Sequence, residues 1–305
     1  VSRLERVGER LGLAEALLGL VVALAADGPE ITSALAAVTT GHREVGVGVA
    51  LGSNAFNLAA MLGLSVLAVG GLRLPRFATM LEGALALLIA AIAVAAVMAW
   101  IGPALGLILA LGVFLPYVFV CALPPAARAQ LPLPRPLLTW LRRAIDQEIV
   151  TIQRAPRAGR VDGLVVVAAA IAVIGASIVM EQTATTIGAQ AGIPTIVIGG
   201  LVLAAVTSLP NAVAAIYLSL RGRGVAAMSE AFHSNAFNVL LALLVPAVIV
   251  GLDAPTAGVA LAAGTYLALT LAAVVFALAG RGLGRWAGLI LVAGYLGYVV
   301  LVVAT

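Results

Sequence analysis

Ser53-Asn54-Ala55-Phe56-Asn57 lies in an uncharged apolar run, residues 46–71, and the same five residues return as Ser234-Asn235-Ala236-Phe237-Asn238 in a second apolar run, 225–250. The offset is 181 residues and no gap is needed: Gly41 falls on Gly222, and Pro29-Glu30 falls on Pro210-Asn211. Glu30 and Asn211 each precede their Ser by 23 residues. A shared pentapeptide and a matching distant Pro are the signature of an internal repeat.

The rest of the chain says what medium this repeat occupies. Hydrophobic residues make up 63% and charged residues 10%, against roughly 25% charged in soluble chains. There is too little polar surface to face water, so most of the solvent is lipid. Apolar spans of about 20 residues cross a bilayer as helices. Nine are expected: 11–40 and 193–220, each interrupted, and 46–71, 77–101, 103–123, 161–190, 225–250, 256–280 and 284–304. The expected fold is therefore an all-α integral membrane protein. Its parts are an N-terminal repeat (1–123, about four helices), a linker (124–160) and a C-terminal repeat (161–305, five helices). The linker holds six Pro and seven Arg. Within it Leu137, Leu138, Leu141, Ile145, Ile149 and Ile152 recur at helical spacing. That predicts an amphipathic helix, lying either on the membrane surface or against the protein itself. Cys121 stands alone in an apolar run, so neither a disulfide framework nor a Cys metal site is available.

Short cytoplasmic loops are rich in Lys and Arg. Here all 17 cationic side chains other than His are Arg. With nine spans, alternate loops collect Arg3, Arg6 and Arg10, then Arg73 and Arg76, the linker, Arg221 and Arg223, and Arg281 and Arg285. The opposite side holds Arg43. This places the N-terminus and linker in the cytoplasm and the C-terminus outside, in a cell (inner) membrane. The net charge of +4 has no soluble face on which to bind nucleic acid. The charged start, leading into a continuing helical pattern, is unlike a signal peptide. By the same count the span with Glu30 runs outward and the span with Asn211 runs inward. Inverted-topology repeats are the architecture of many secondary transporters, whose interrupted helices form an ion site near the midplane.

The candidate site residues suit that chemistry. Gly28 and Pro29 favour a helix break, as does Pro210, and freed carbonyls in lipid need a partner. Asp27 and Glu30, three apart, share a helix face. Ionisable groups inside a span point to function by default. Thr207, Ser208 and Asn211 offer oxygens at the matching place, and Ser53, Asn57, Ser234 and Asn238 add more. Hard cations such as Ca²⁺ and Na⁺ take such oxygens. Any one of these Ser, Thr or Asn, taken alone, serves equally well as a bridge between helices. Ala55, Ala59 and Gly63 are expected to pack closely. Glu82 is read as a cap or interface residue. Glu230 and His233 are read as snorkelling to water, with a pH-sensitive gate as the alternative.

At these residues the chain resembles the cation/calcium antiporter superfamily, which includes the sodium/calcium exchangers. The resemblance rests on the Pro-Glu break and on Gly52-Ser53-Asn54-Ala55-Phe56-Asn57, matched by His233-Ser234-Asn235-Ala236-Phe237-Asn238. It implies two inverted repeats and exchange of Ca²⁺ for Na⁺ or H⁺ by alternating access. The cations are substrates, and no cofactor is implied. It also implies ligands at Asp27, Glu30, Ser53 and Asn57, at the Ala26 carbonyl, and at Thr207, Ser208, Asn211, Ser234 and Asn238. Three departures matter. Asn211 stands where the family has a second Glu. Asp27 stands where it has a hydroxyl, and His233 where it has a Gly. Four spans before the linker, against the family's five, leave its first helix without a counterpart. The alternatives are a Na⁺/H⁺ exchanger in which Asp27 and Glu30 bind Na⁺ and protons in turn, and a non-transporting sensor or scaffold. An enzyme is not expected: there is no His-Glu-x-x-His and no Gly-x-Ser-x-Gly.

Overall fold

A computed structural model describes residues 27–149, 160–280 and 282–304. The first half of the span expected at 11–40, Arg3, Arg6, Arg10, Ala26, Ile152, Pro156 and Arg281 lie outside those residues. The described chain is helical, built from α1 (Gly28–Thr39), α2 (Arg43–Val69), α3 (Arg76–Val97), α4 (Pro103–Ala122), α5 (Arg135–Ile149), α6 (Arg160–Gln190), α7 (Thr195–Leu220), α8 (Gly224–Val250), α9 (Ala257–Ala279) and α10 (Arg285–Ala304). Two short strands, β1 (Gly71–Arg73) and β2 (Gly282–Gly284), pair antiparallel, with Leu72 opposite Leu283. Among the described residues, seven helices, α2, α3, α4, α7, α8, α9 and α10, are long and apolar enough to cross a membrane. Pro29 and Pro103 sit in the first turns of α1 and α4, where a missing N–H costs nothing.

The repeat extends into the turns. Gly41 (φ 90°) and Gly222 (φ 74°) both adopt the left-handed conformation between helices, as do Gly70 (φ 83°) and Gly251 (φ 81°). Each pair is 181 apart, and at each a Cβ would be strained. Helices α2 and α8, which carry the two pentapeptides, run in opposite directions. Arg43, at the start of α2, lies 3.4 Å from Asp253, just past the end of α8. Gly224, at the start of α8, packs on Leu72, just past the end of α2.

Several of the described arginines gather at one end of the bundle, with Arg43 at the other. Arg73 lies in β1 beside β2, and the Arg285 guanidinium lies against Gly70. Arg221 and Arg223 precede Gly224 in the same corner. Helix α5 packs across the start of α3 there: Gln147 accepts from the Ala78 N–H (3.4 Å), and Arg143 lies over Phe77 (5.9 Å). Of the two expectations for the linker helix, packing on the protein accounts for Ala144 and Ile145, which are buried.

One expectation requires correction. Pro210 does not interrupt its span: helix continues from Ala204 to Leu220 through it, as neighbouring groups in a bundle can re-satisfy the freed backbone. The irregularity lies elsewhere, in three π-helical stretches, Leu58–Leu64, Ile198–Leu203 and Asn238–Leu244. The first and third begin at or beside the repeated Asn57 and Asn238. Such widened turns are frequent at functional sites. Of the two roles expected of Glu82, cap or interface, the structure favours the interface. It is fully buried and accepts a hydrogen bond from Ser229 across the α3–α8 interface.

Small residues set the spacing of the core, as in membrane bundles generally. Gly48 and Gly52 of α2 cross Gly199 and Gly200 of α7 backbone to backbone, and Gly63 rests on Gly288 and Val292 of α10. Large apolar side chains point outward instead, among them Ile108, Val213, Ile249 and Val300, as a lipid-facing surface requires.

Candidate functional site

Asp27 and Glu30 flank the start of α1, and both are wholly buried. The Asp27 carbonyl accepts the first helical bond, from the Ile31 N–H (3.0 Å). The Pro at position 29 brings no donor of its own. Both carboxylates face α7. Asn211 sends Nδ2 to Asp27 Oδ1 (2.8 Å) and to Glu30 Oε1 (3.1 Å), and Ser208 donates to Glu30 Oε1 (2.9 Å). From α8, Ser234 donates to Asp27 Oδ1 (2.5 Å). Asn57 of α2 then donates to Ser234 Oγ (3.0 Å) and Asn235 Oδ1 (3.1 Å). Four helices thus meet on two acids.

Around the acids the two pentapeptides are stitched reciprocally. Asn54 Nδ2 donates to the Asn235 carbonyl and Asn235 Nδ2 donates to the Asn54 carbonyl, both at 3.2 Å. Asn57 Nδ2 reaches Asn235 Oδ1, and Asn238 Nδ2 reaches Asn54 Oδ1, both at 3.1 Å. The same relation governs the aromatic rings. Phe114 of α4 meets Phe237 edge-on (5.4 Å, 75°), and Tyr295 of α10 meets Phe56 edge-on (5.5 Å, 76°). Those partners are again 181 apart, so α4 and α10 occupy equivalent places.

Not every expected residue joins the acids. Ser53 is buried, with its Oγ 3.5 Å from the Ala204 carbonyl. Thr207 turns back on its own helix, to the Leu203 and Ala204 carbonyls (2.8 and 3.3 Å). Asn238 donates to Asn54 Oδ1 (3.1 Å), away from the acids. His233 does not snorkel: its Nε2 is 2.8 Å from the Tyr117 hydroxyl, between the rings of Phe114 and Tyr117. Glu230 is half-buried one turn before Ser234, with its Oε2 buried. Asn54, Asn235 and Tyr117 were not among the expected site residues. The pentapeptide identity already held the signal for the first two. For Tyr117 it was the match of Phe114 and Tyr117 to Tyr295 and Tyr298 at the same offset.

The chemistry of the site lies in its unsatisfied atoms. Among the described residues, Asp27 Oδ2, Glu30 Oε2, Asn57 Oδ1, Asn211 Oδ1 and Asn238 Oδ1 are buried oxygens without a hydrogen-bond donor. Among the described residues, no ion pair reaches either acid, and no cluster of three or more His, Cys, Asp or Glu forms. Buried carboxylates without a counter-charge are costly. The arrangement is two acids ringed by amides and hydroxyls, and it is suited to receive positive charge on hard oxygens.

A family model described as "Sodium/calcium exchanger protein" matches residues 1–124 and 163–304. Curated relatives include human sodium/potassium/calcium exchanger 4, 39% identical over 70 residues, and rat sodium/potassium/calcium exchanger 3, 37% identical over 70 residues. Each match takes in 23% of this chain and 11% of the relative, so this chain aligns with a small part of their length. Among solved structures, the sodium-calcium exchanger NCX_Mj soaked with 10 mM Na⁺ and 10 mM Sr²⁺ superposes with a TM-score of 0.64 at 20% identity. That superposition covers 98% of this chain and 90% of the other. The same exchanger soaked with 2.5 mM Na⁺ and 0.1 mM Ca²⁺ gives 0.62 at 19% identity.

Proposed function

The chain belongs to the sodium/calcium exchanger family, and from that premise we propose that it is a secondary cation antiporter moving Ca²⁺ against Na⁺ or H⁺. The observation that carries the reading is the buried acid pair: Asp27 Oδ2 and Glu30 Oε2, with Asn211 Oδ1 beside them, have no hydrogen-bond donor among the described residues. In this reading Asp27 and Glu30 supply charge, and Asn57, Asn211, Ser208 and Ser234 supply neutral oxygens. Asn211 Nδ2 lies between the two carboxylates, at the position a cation would be drawn to. Rotation of that amide would exchange the N–H donors for Oδ1 as a cation enters. Ser53, Thr207 and Asn238 join as the helices shift. Antiparallel α2 and α8 favour two inverted-topology repeats, 1–123 and 161–305, around the linker 124–160. Alternating access would rock one against the other about the fixed site. Nine spans, a cytoplasmic arginine face and linker, an external C-terminus and an inner-membrane location complete the proposal.

The presence of both acids in one repeat, with an amide at Asn211, supports Na⁺/H⁺ exchange as the second reading. Purified protein in liposomes separates the two. Radiolabelled Ca²⁺ uptake driven by an outward Na⁺ or H⁺ gradient supports the first. Na⁺ flux coupled to protons and indifferent to Ca²⁺ supports the second. Neither flux from folded protein would refute transport.

A further inference from the structure

Gly52 and His233 hold equivalent places, each directly before the Ser of its pentapeptide, yet the two helices are held there by different means. In α2 the held element is backbone. A Cβ on Gly52 would fall 2.2 Å from the Gly200 carbonyl oxygen, and one on Gly48 would fall 2.9 Å from the Gly200 nitrogen. In α8 the equivalents of Gly48 and Gly52 are Ser229 and His233. Both carry polar cross-links instead: Ser229 to Glu82 of α3, and His233 Nε2 to the Tyr117 hydroxyl of α4 (2.8 Å). Tyr117 has its own equivalent in Tyr298 of α10. The Tyr298 hydroxyl is buried, has no hydrogen-bond partner among the described residues, and points at Gly200. One tyrosine of the symmetric pair is thus engaged and the other is not.

Such a cross-link has mechanical consequences because a change of helical register lies just beyond it. The π-helical stretch of α8 begins at Asn238, where the hydrogen-bond register changes from i−4 to i−5. The rotation of Ser234 about the α8 axis is set by its own bonds to Asp27, Asn211 and Asn57, by those of Asn235 on one side of it, and by the His233 contact to α4 on the other. Ser234 in turn donates to Asp27 at 2.5 Å.

We infer that Tyr117 and His233 form a positioning pair that holds Ser234 against Asp27, doing for the second repeat what the glycine crossing does for the first. The pair touches no cation; it sets how tightly one is held. Resting on the cation-site reading, it makes affinity for the transported ion depend on a hydroxyl of α4.

Tyr117→Phe keeps the ring and its packing and removes only the hydrogen bond. Equilibrium binding of radiolabelled Ca²⁺ to the purified full chain is the measurement, with ion-free melting recorded alongside. Tyr117→Phe should raise the Kd about 3- to 10-fold, the range one hydrogen bond controls. His233→Gln, which can still reach the hydroxyl, should stay within about 2-fold of wild type. Tyr117→Phe combined with His233→Ala should bind no worse than His233→Ala alone. Tyr298→Phe should bind as wild type. A Tyr117→Phe Kd equal to wild type, or an equal loss from Tyr298→Phe, overturns the positioning role alone. Folded wild-type protein that binds no Ca²⁺ overturns the cation-site reading and this inference with it.

Discussion

Gly52→Ala probes the crossing on which the site is hung. The added Cβ would lie 2.2 Å from the Gly200 carbonyl oxygen and 2.6 Å from Gly200 Cα, where ordinary contact begins at 3.4 Å. Both neighbours are backbone, so no side chain can swing aside. α2 and α7 must part by about 1.2 Å, the difference between those distances, to restore normal contact. Overpacking of this kind costs about 1–3 kcal/mol or more. The displacement also moves Ser53 and Asn57 relative to Ser208 and Asn211. Metal coordination tolerates about 0.2 Å, so cation affinity should fall on the order of tenfold or more. Thermal unfolding in detergent, with and without saturating Ca²⁺, reads both effects. Gly112→Ala is the control, since nothing lies within 4 Å of its added Cβ, and it should be neutral or slightly stabilising. A Gly52→Ala protein that melts and responds to Ca²⁺ like wild type would refute the role given to the crossing.

Gly41→Ala and Gly222→Ala should each destabilise by about 1–2 kcal/mol through left-handed strain. Neither added Cβ meets a neighbour, so equal losses of melting temperature are expected and a null result at both would contradict the turn assignment. Asn211→Ala removes two hydrogen bonds to buried carboxylates, each worth about 1.5–3 kcal/mol. The ion-free protein should lose on the order of 3 kcal/mol or more, with much of that recovered at saturating Ca²⁺, as differential melting will show. Arg43→Ala breaks a pair whose side chains are 40% and 63% exposed, worth under about 1 kcal/mol. Melting and Ca²⁺ binding should both stay at wild-type values.

The membrane class, the repeat and the meeting of the two halves were legible because each rests on a local signal. Hydropathy marks spans, and a fixed offset of 181 pairs Ser53 with Ser234 whatever lies between them. The acids beside Pro29 were legible because charge inside a span has few structural explanations. What escaped the sequence depends on how helices turn about their axes. Pro210 reads as a break, but whether a helix stops at a Pro depends on neighbours that re-satisfy its backbone. The π-helical stretches have no sequence signature of their own. His233 looks like an end-of-span residue until α4 is placed against it, and Thr207 gives no hint in the sequence that its hydroxyl here bonds back to Leu203. Asn54 and Asn235 were visible in the pentapeptide, but only the crossing of α2 and α8 shows them to be reciprocal partners.

The central claim is that Asp27 and Glu30, with the oxygens around them, hold the transported cation. Glu30→Gln preserves the size of the side chain and removes its charge. Radiolabelled Ca²⁺ uptake into proteoliposomes under an outward Na⁺ gradient, repeated under a pH gradient, compares it with wild type at equal protein incorporation. Wild type should show gradient-dependent uptake and Glu30→Gln none. Undiminished uptake by Glu30→Gln would contradict the claim.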